Sequence, residues 1–250
     1  VEQWSYDVGT AGFWFHPDDG TVYIEGSERV ISLNDVTGRE SWRSDEYYDV
    51  EDLDVDDENV YATVEVDSLE YQFVKMDADT GRTAWETWID NDKWSIDVGD
   101  SDIFLGTYAS GFSDNGGTLY RLNATTGRLS WEFSIDESVD NIAGDSDPVL
   151  ALGDNTVYAV ERDSGRAVWS FADDSLYLES ATDRRVVLNG DGSDYVLDRE
   201  TGDVEGTVDS TNGPVWAADG ALFTADGSVV TAYPVAERPE AFDHDATEKP

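Results

Sequence analysis

The pattern Thr/Ser-Gly-Arg-x-x-Trp occurs four times in this chain: Thr37-Gly38-Arg39 with Trp42, Thr80-Gly81-Arg82 with Trp85, Thr126-Gly127-Arg128 with Trp131, and Ser164-Gly165-Arg166 with Trp169. A fifth copy, Thr201-Gly202-Asp203, keeps the turn and has Gly206 where the Trp would stand. Successive glycines lie 43, 46, 38 and 37 residues apart. A unit of about 40 residues cannot bury its apolar face alone and stacks on its neighbours, so the repeat decides the architecture.

Upstream of each turn sits an alternating apolar run: Val30-Ile31-Ser32-Leu33, Phe73-Val74-Lys75-Met76, Leu119-Tyr120-Arg121-Leu122, Val157-Tyr158-Ala159-Val160 and Tyr195-Val196-Leu197. Period-2 alternation of β-branched and aromatic residues predicts strands. The Asp- and Asn-rich link before each Gly is the chemistry of a tight hairpin with one residue at positive φ. Two earlier strands per unit are announced by Asp-rich turns, as at Asp19-Gly20 before Thr21-Val22-Tyr23 and Asp57-Glu58 before Asn59-Val60-Tyr61. Four short strands per repeat predict a propeller blade. No window keeps a 3.6-residue period, which excludes helical solenoids.

The ends complement each other. Trp4-Ser5-Tyr6 reads like the outer strand Trp169-Ser170-Phe171, while Val215-Trp216, Ala221-Leu222-Phe223 and Val229-Val230-Thr231-Ala232 supply three strands with no fourth. The expectation is an all-β chain: a single β-propeller of six four-stranded antiparallel blades over residues 1–236, with outer strands near 4, 42, 85, 131, 169 and 206. The N-terminal strand would close the last blade and remove its open edge. Residues 237–250 form an acidic tail.

The unit apolar-x-apolar-x-Asp-x-x-Thr-Gly-x-x-x-Trp resembles the repeat of the pyrroloquinoline-quinone-type β-propeller superfamily, over nearly the whole chain. That superfamily includes quinoprotein dehydrogenases and a lipoprotein scaffold of outer-membrane β-barrel assembly. The resemblance implies that Gly38, Trp42, Gly81, Trp85, Gly127, Trp131, Gly165, Trp169 and Gly202 dock neighbouring blades. A Trp buries on the order of 200 Å² and needs an acceptor for its N–H, which a turn carbonyl can offer. The quinoprotein enzymes resemble eight-bladed rings with a vicinal cysteine pair and a calcium ion on Glu, Asn and Asp; this chain has about six units and no cysteine. No catalytic residue, metal ligand or cofactor is carried over.

Fifty-six Asp and Glu against fifteen Lys and Arg give a net charge of −41. Such a surface repels phosphates, so nucleic acid and anionic membranes are excluded as electrostatic partners. Only three of the basic residues are lysines, Lys75, Lys93 and Lys249. An acid-rich, Lys-poor surface is the pattern of halophile proteins, here read as a halophilic archaeon's, where molar salt shrinks the Debye length to about 3 Å. No run of about 18 apolar residues is present to span a membrane. The chain starts at Val1, so an export signal or anchor would have preceded it; the expected location is the cell surface, with the cytoplasm of a salt-accumulating cell as the alternative.

Chemistry-bearing residues are sparse. The two histidines, His16 and His244, lie far apart, and the Gly106–Gly117 stretch has no phosphate-binding pattern. Tyr47, Tyr48, Trp88, Trp94, Tyr177 and Trp216 fall in or beside the links from each outer strand to the next inner strand, and Tyr108 and Phe112 in the longest insertion. These aromatics, among acids such as Asp45, Glu46, Asp49, Glu51, Asp52, Asp90, Asp92, Asp136, Glu137, Asp173 and Asp174, form the candidate binding face. Asn123-Ala124-Thr125 is an N-glycosylation tripeptide at a turn. The expected function is that of a monomeric, non-enzymatic scaffold binding a protein or small ligand on one face; the alternative is a quinone- and calcium-dependent oxidoreductase.

Overall fold

A computed structural model describes residues 3–9, 14–18, 20–68, 70–90, 93–107, 116–191, 193–209, 215–218, 221–226 and 229–234, with the backbone alone for Lys93, Trp94 and most residues from 208 on. The chain divides into two compact units, Val1–Ser170 and Phe171–Pro250. Every described element is a strand, and consecutive strands pair as antiparallel meanders. Sheet 1 is β1 (Trp14–Asp18), β2 (Thr21–Glu25), β3 (Val30–Asn34) and β4 (Glu40–Arg43). Sheet 2 is β5 (Asp49–Val55), β6 (Asn59–Asp67), β7 (Glu70–Asp77) and β8 (Thr83–Ile89). Sheet 3 holds β9 (Lys93–Val98), β10 (Asp102–Thr107), β11 (Thr118–Asn123) and β12 (Leu129–Ser134). Sheet 4 holds β13 (Asn141–Ala143), β14 (Val149–Leu152), β15 (Thr156–Val160) and β16 (Ala167–Ala172), whose last two residues belong to the second unit.

The second unit contains sheet 5, made of β17 (Tyr177–Ala181), β18 (Arg185–Asn189), β19 (Ser193–Asp198) and β20 (Val204–Asp209). Its sheet 6 has three described strands, β21 (Val215–Ala218), β22 (Ala221–Asp226) and β23 (Val229–Pro234). Five four-stranded antiparallel sheets without a helix are the β-propeller class read from the repeat.

Burial explains the patterning. Second strands are covered on both faces, so β10 and β14 are buried throughout, whereas the fourth strands β12 and β16 alternate and keep one side in water. In the first unit three apolar clusters join facing sides of consecutive sheets. Tyr23, Val30 and Trp42 meet Leu53, Val60 and Met76; Phe73 and Trp85 meet Ile103, Leu105 and Leu122; Phe104 and Leu119 meet Ile142, Val149 and Val160.

The third-to-fourth-strand turn is the same object five times. Gly38, Gly81, Gly127, Gly165 and Gly202 have φ of 65°, 67°, 66°, 69° and 74°. Each glycine N–H donates to the carbonyl of the residue four back, at 2.8–2.9 Å. The leading Asx side chain closes the turn: Asn34, Asp77 and Asn123 accept from both the N–H and the hydroxyl of Thr37, Thr80 and Thr126 at 2.6–2.9 Å. That is the physical content of Asp/Asn-x-x-Thr-Gly. The bonds from Thr80 hold the Asp77 carboxyl below its ordinary range.

Gly81, Gly127 and Gly165 each lie under a tryptophan from the preceding repeat. A Cβ on Gly81 would stand 2.4 Å from Trp42, on Gly127 2.6 Å from Trp85, and on Gly165 2.7 Å from Trp131. The indole N–H groups of Trp42, Trp85 and Trp131 donate to Ala78 O, Ala124 O and Arg162 O at 2.7, 3.2 and 2.8 Å. In two of these joints a cation reinforces the same acceptor: Lys75 Nζ reaches Ala124 O at 3.2 Å and Arg121 reaches Arg162 O at 2.6 Å. At Gly206, which replaces the fifth Trp, a Cβ would meet nothing within 4 Å.

Residues 3–8, expected as a strand, carry no strand pairing in the structure. Side chains hold them on sheet 1 instead. Trp4 covers Gly38 and donates to Asp35 O at 2.7 Å, Gln3 donates to Val36 O at 3.1 Å, and the Tyr6 hydroxyl bonds Glu40.

Candidate interaction surface

The strands' two ends are chemically distinct. At one end the repeated turns meet the first hairpin of their own sheet, through Asp35 N to Gly20 O, Ala78 N to Glu58 O, Ala124 N to Ser101 O and Arg199 N to Arg184 O. At the other, the links between sheets cross the second hairpins: Tyr47 N donates to Glu28 O, Tyr48 N to Glu65 O and Val139 N to Thr107 O.

The candidate aromatics belong to this link end, and their side chains divide. Tyr48 (63% exposed), Trp88 (60%) and Tyr177 (65%) stand in solvent, while Tyr47 packs on the core of sheets 1 and 2, where burial raises its hydroxyl pKa. Tyr177 opens β17, and Tyr48 immediately precedes β5. Trp94 is the second residue of β9 and Trp216 the second of β21. Tyr108 and Phe112 lie outside the described residues. Trp14, which opens β1, is 73% exposed with Phe15 beside it at 65%; neither was singled out in the sequence. Aligning the starts of the inner strands would have found Trp14, because an aromatic stands at the start of β1, β5, β9, β17 and β21.

Carboxylates surround these positions. Asp45, Glu46 and Glu51 beside Tyr48, Asp90 after β8 and Asp174 before Tyr177 are exposed. Glu46 is tied to Arg29 at 2.5 Å, and Asp49 and Asp52 accept the N–H groups of Val50 and Leu53. Asp92 lies outside the described residues. Deeper at this end of sheet 5, Asp194 is fully buried; its Oδ1 accepts from Asn189 at 2.5 Å and its Oδ2 has no hydrogen-bond partner. Burial pushes the Asp194 carboxyl up, and burial with the Asp194 charge does the same to Glu179. Neither residue was read from the sequence, since an Asp in an acidic chain carries no mark of burial.

Among the described residues no group of three His, Cys, Asp or Glu is placed to hold a metal ion, and the chain has no cysteine. His16 sits on β1 with Nε2 3.7 Å from Glu25 Oε2; His244 and the tail lie outside the described residues. Asn123 ends β11 with its side-chain oxygen closing the turn. Among the described residues no helix is long and apolar enough to cross a membrane.

Comparison with solved structures places this arrangement among known folds. BamB from Moraxella catarrhalis superposes with a TM-score of 0.55 at 15% identity, over 86% of this chain and 70% of that one. The quinohemoprotein alcohol dehydrogenase of Comamonas testosteroni gives a TM-score of 0.50 at 14% identity, over 76% of this chain and 42% of that one. At these identities the likeness is one of fold. No curated protein sequence is significantly similar. The profile of a family described as outer membrane protein assembly factor BamB matches residues 2–110 and 98–241. Nearly the whole chain is thus accounted for by that profile, and the protein belongs to the BamB family of pyrroloquinoline-quinone-type repeats.

Proposed function

We propose that this protein is a non-enzymatic scaffold of the cell envelope that binds a protein partner through the link end of its sheets. The observation that carries this reading is the exposure of Trp14 and Tyr48 at the starts of two inner strands of the first unit. Nothing in the fold requires a large aromatic in water there, and Tyr and Trp dominate interface hot spots. Family membership supports an envelope role. Flanking carboxylates favour a partner with a basic surface, which they would steer and orient. The decisive experiment is photo-crosslinking from a reactive residue placed at position 48 or 88, against position 82 on the turn end. One envelope protein captured from both link-end positions and not from position 82 is expected; equal capture from all three would overturn the reading. Pyrroloquinoline quinone with calcium should leave the melting temperature unchanged, whereas a ligand at 100 times its dissociation constant would add about 2.7 kcal/mol.

The same reading takes the Trp4 segment as the fourth strand of the last sheet, closing six blades. Trp4 does for sheet 1 what Trp42, Trp85 and Trp131 do for the sheets after them, which supports that role. A cysteine-free chain makes the test clean: Ser5→Cys combined with cysteine scanned over positions 229–233 should give an intramolecular disulfide at one register. Failure at every register would refute closure. The acidity is assigned to a halophilic source, so lowering ionic strength should lower the melting temperature and molar sodium chloride restore it.

A further inference from the structure

The repeat, more than the local sequence, marks one residue of the second unit as out of place. Four residues before the first residue of each turn, the third strands carry Val30, Phe73, Leu119 and Val157, all fully buried, and then Asp194. Val30, Phe73 and Leu119 each pack in the cluster that joins their own sheet to the next. Asp194 holds the same register on β19 and is as completely buried. The opposite face of β19 carries Tyr195, whose ring packs on Phe171 with 5.0 Å between centres. The carboxylate therefore stands on the side of sheet 5 that meets sheet 6, where β17 and β18 lie against β21. A carboxylate in the place of a core valine is costly unless its charge and its oxygens are satisfied.

Within the chain that satisfaction is half complete. Asp194 pairs across the ladder with Asn189 of β18, and Asn189 with Tyr177 of β17, whose side chain stands in solvent. Asn189 Nδ2 donates to Asp194 Oδ1 and fixes the carboxylate, which leaves Oδ2 buried and without a hydrogen-bond partner. Half-buried Glu179 lies near enough for the Asp194 charge to act on it. The register of β17 against β18 shifts between Leu178 and Ser180, so Glu179 stands outside the ladder, and bulges of this kind re-aim a side chain. Among the described residues no lysine or arginine acts on either carboxylate.

We infer that Asp194 Oδ2 and the Glu179 carboxylate hold a calcium ion at the link end of sheet 5, with Asn189 as the residue that positions Asp194. The donors are carboxylate oxygens, which suit a hard cation and not zinc or copper, and their two negative charges match a divalent ion. Two side chains leave the remaining places to water and backbone carbonyls, and calcium's irregular coordination accepts such a mixture. Magnesium demands a near-octahedral shell and gives up its water reluctantly, which a fully buried oxygen does not favour. The bound ion would satisfy Oδ2, compensate the buried charge and tie β17 to β19 across the sheet. This site is independent of the partner proposed for Trp14 and Tyr48.

The test titrates calcium chloride up to about 10 mM into the chelator-treated full chain at fixed, high sodium chloride, followed by calorimetry and by melting temperature. One saturable calcium per chain is expected, at least about tenfold tighter than magnesium, with a rise in melting temperature on binding. Asp194→Val, which restores the residue of Val30 and Val157, should melt higher than calcium-free wild type and lose the calcium response. Should that variant fail to fold, Glu179→Gln should weaken calcium binding at least about tenfold. Asp136→Asn with Asp154→Asn removes two exposed charges elsewhere and should leave the titration unaltered. No saturable binding, an equal response to magnesium, or calcium affinity unchanged in Asp194→Val or Glu179→Gln would overturn the inference. Pyrroloquinoline quinone added to the calcium-saturated protein should change nothing further, so calcium at this site is told apart from a quinone centre.

Discussion

In the first unit the third-to-fourth-strand turns repeat one geometry to within a few degrees and tenths of an ångström, while the links between its sheets run to five, three and six residues. The turn end is where a tryptophan of one repeat must find the glycine and carbonyl of the next, so residue identity there is fixed by contact. The link end combines backbone bonds with side-chain bonds that differ from sheet to sheet, such as Val30 N–H to Ser44 Oγ and Ser95 Oγ to Val139 O. It is free to carry Trp14, Tyr48, Trp88 and Tyr177 in water. The contrast teaches that repetition records what holds sheets together, and departure from repetition marks where other molecules are met.

The largest effect should come from emptying a turn-end joint. Trp85→Ala removes a buried indole and its bond to Ala124 O, and should cost about 3–5 kcal/mol in urea unfolding. Gly81→Ala should cost about 2 kcal/mol, since an alanine must hold φ near 67° and displace Trp42. A loss under about 0.5 kcal/mol would mean that the turn tolerates a side chain and that the contact with Trp42 is slack.

Two carboxyls sharpen the comparison through pH, because they shift in opposite directions. Glu40, held by Arg43 and then by Tyr6, sits at about 2. Its folded pKa is depressed, so its contribution is complete above about 4.5 and is lost as pH falls towards 2; the hold on residues 3–8 should loosen over that window. Asp194 is raised by burial, so its ionised form is disfavoured in the fold and acidification relieves it. Asp194→Asn should therefore stabilise the protein by about 1 kcal/mol at neutral pH, with the advantage shrinking as pH falls through the raised pKa. Melting curves of wild type and variant across pH check the sign.

Much of the fold was legible because its repeat is a packing requirement. Gly at positive φ, Asx before Thr-Gly and Trp three residues past Arg each answer to one contact, so they recur in the sequence as they do in space. Residues 3–8 were less legible, because a Trp-Ser-Tyr run has the same composition whether it pairs as a strand or is held by side-chain bonds such as those to Asp35, Val36 and Glu40. Of the site, Tyr48, Trp88 and Tyr177 were visible as aromatics in or beside links, yet Tyr47 next to Tyr48 turns inward onto the core of sheets 1 and 2, which residue type alone does not distinguish. The burial of Asp194 depends on what neighbouring strands place beside it, and no local pattern encodes that.

The division of labour between the two ends is tested most directly by urea unfolding of Trp85→Ala and of the double variant Tyr48→Ala/Trp88→Ala, side by side in the same salt. The turn-end variant should lose about 3–5 kcal/mol and the link-end pair under about 1 kcal/mol. Equal losses would contradict the account, because the exposed aromatics would then be holding the sheets together and not waiting for a partner.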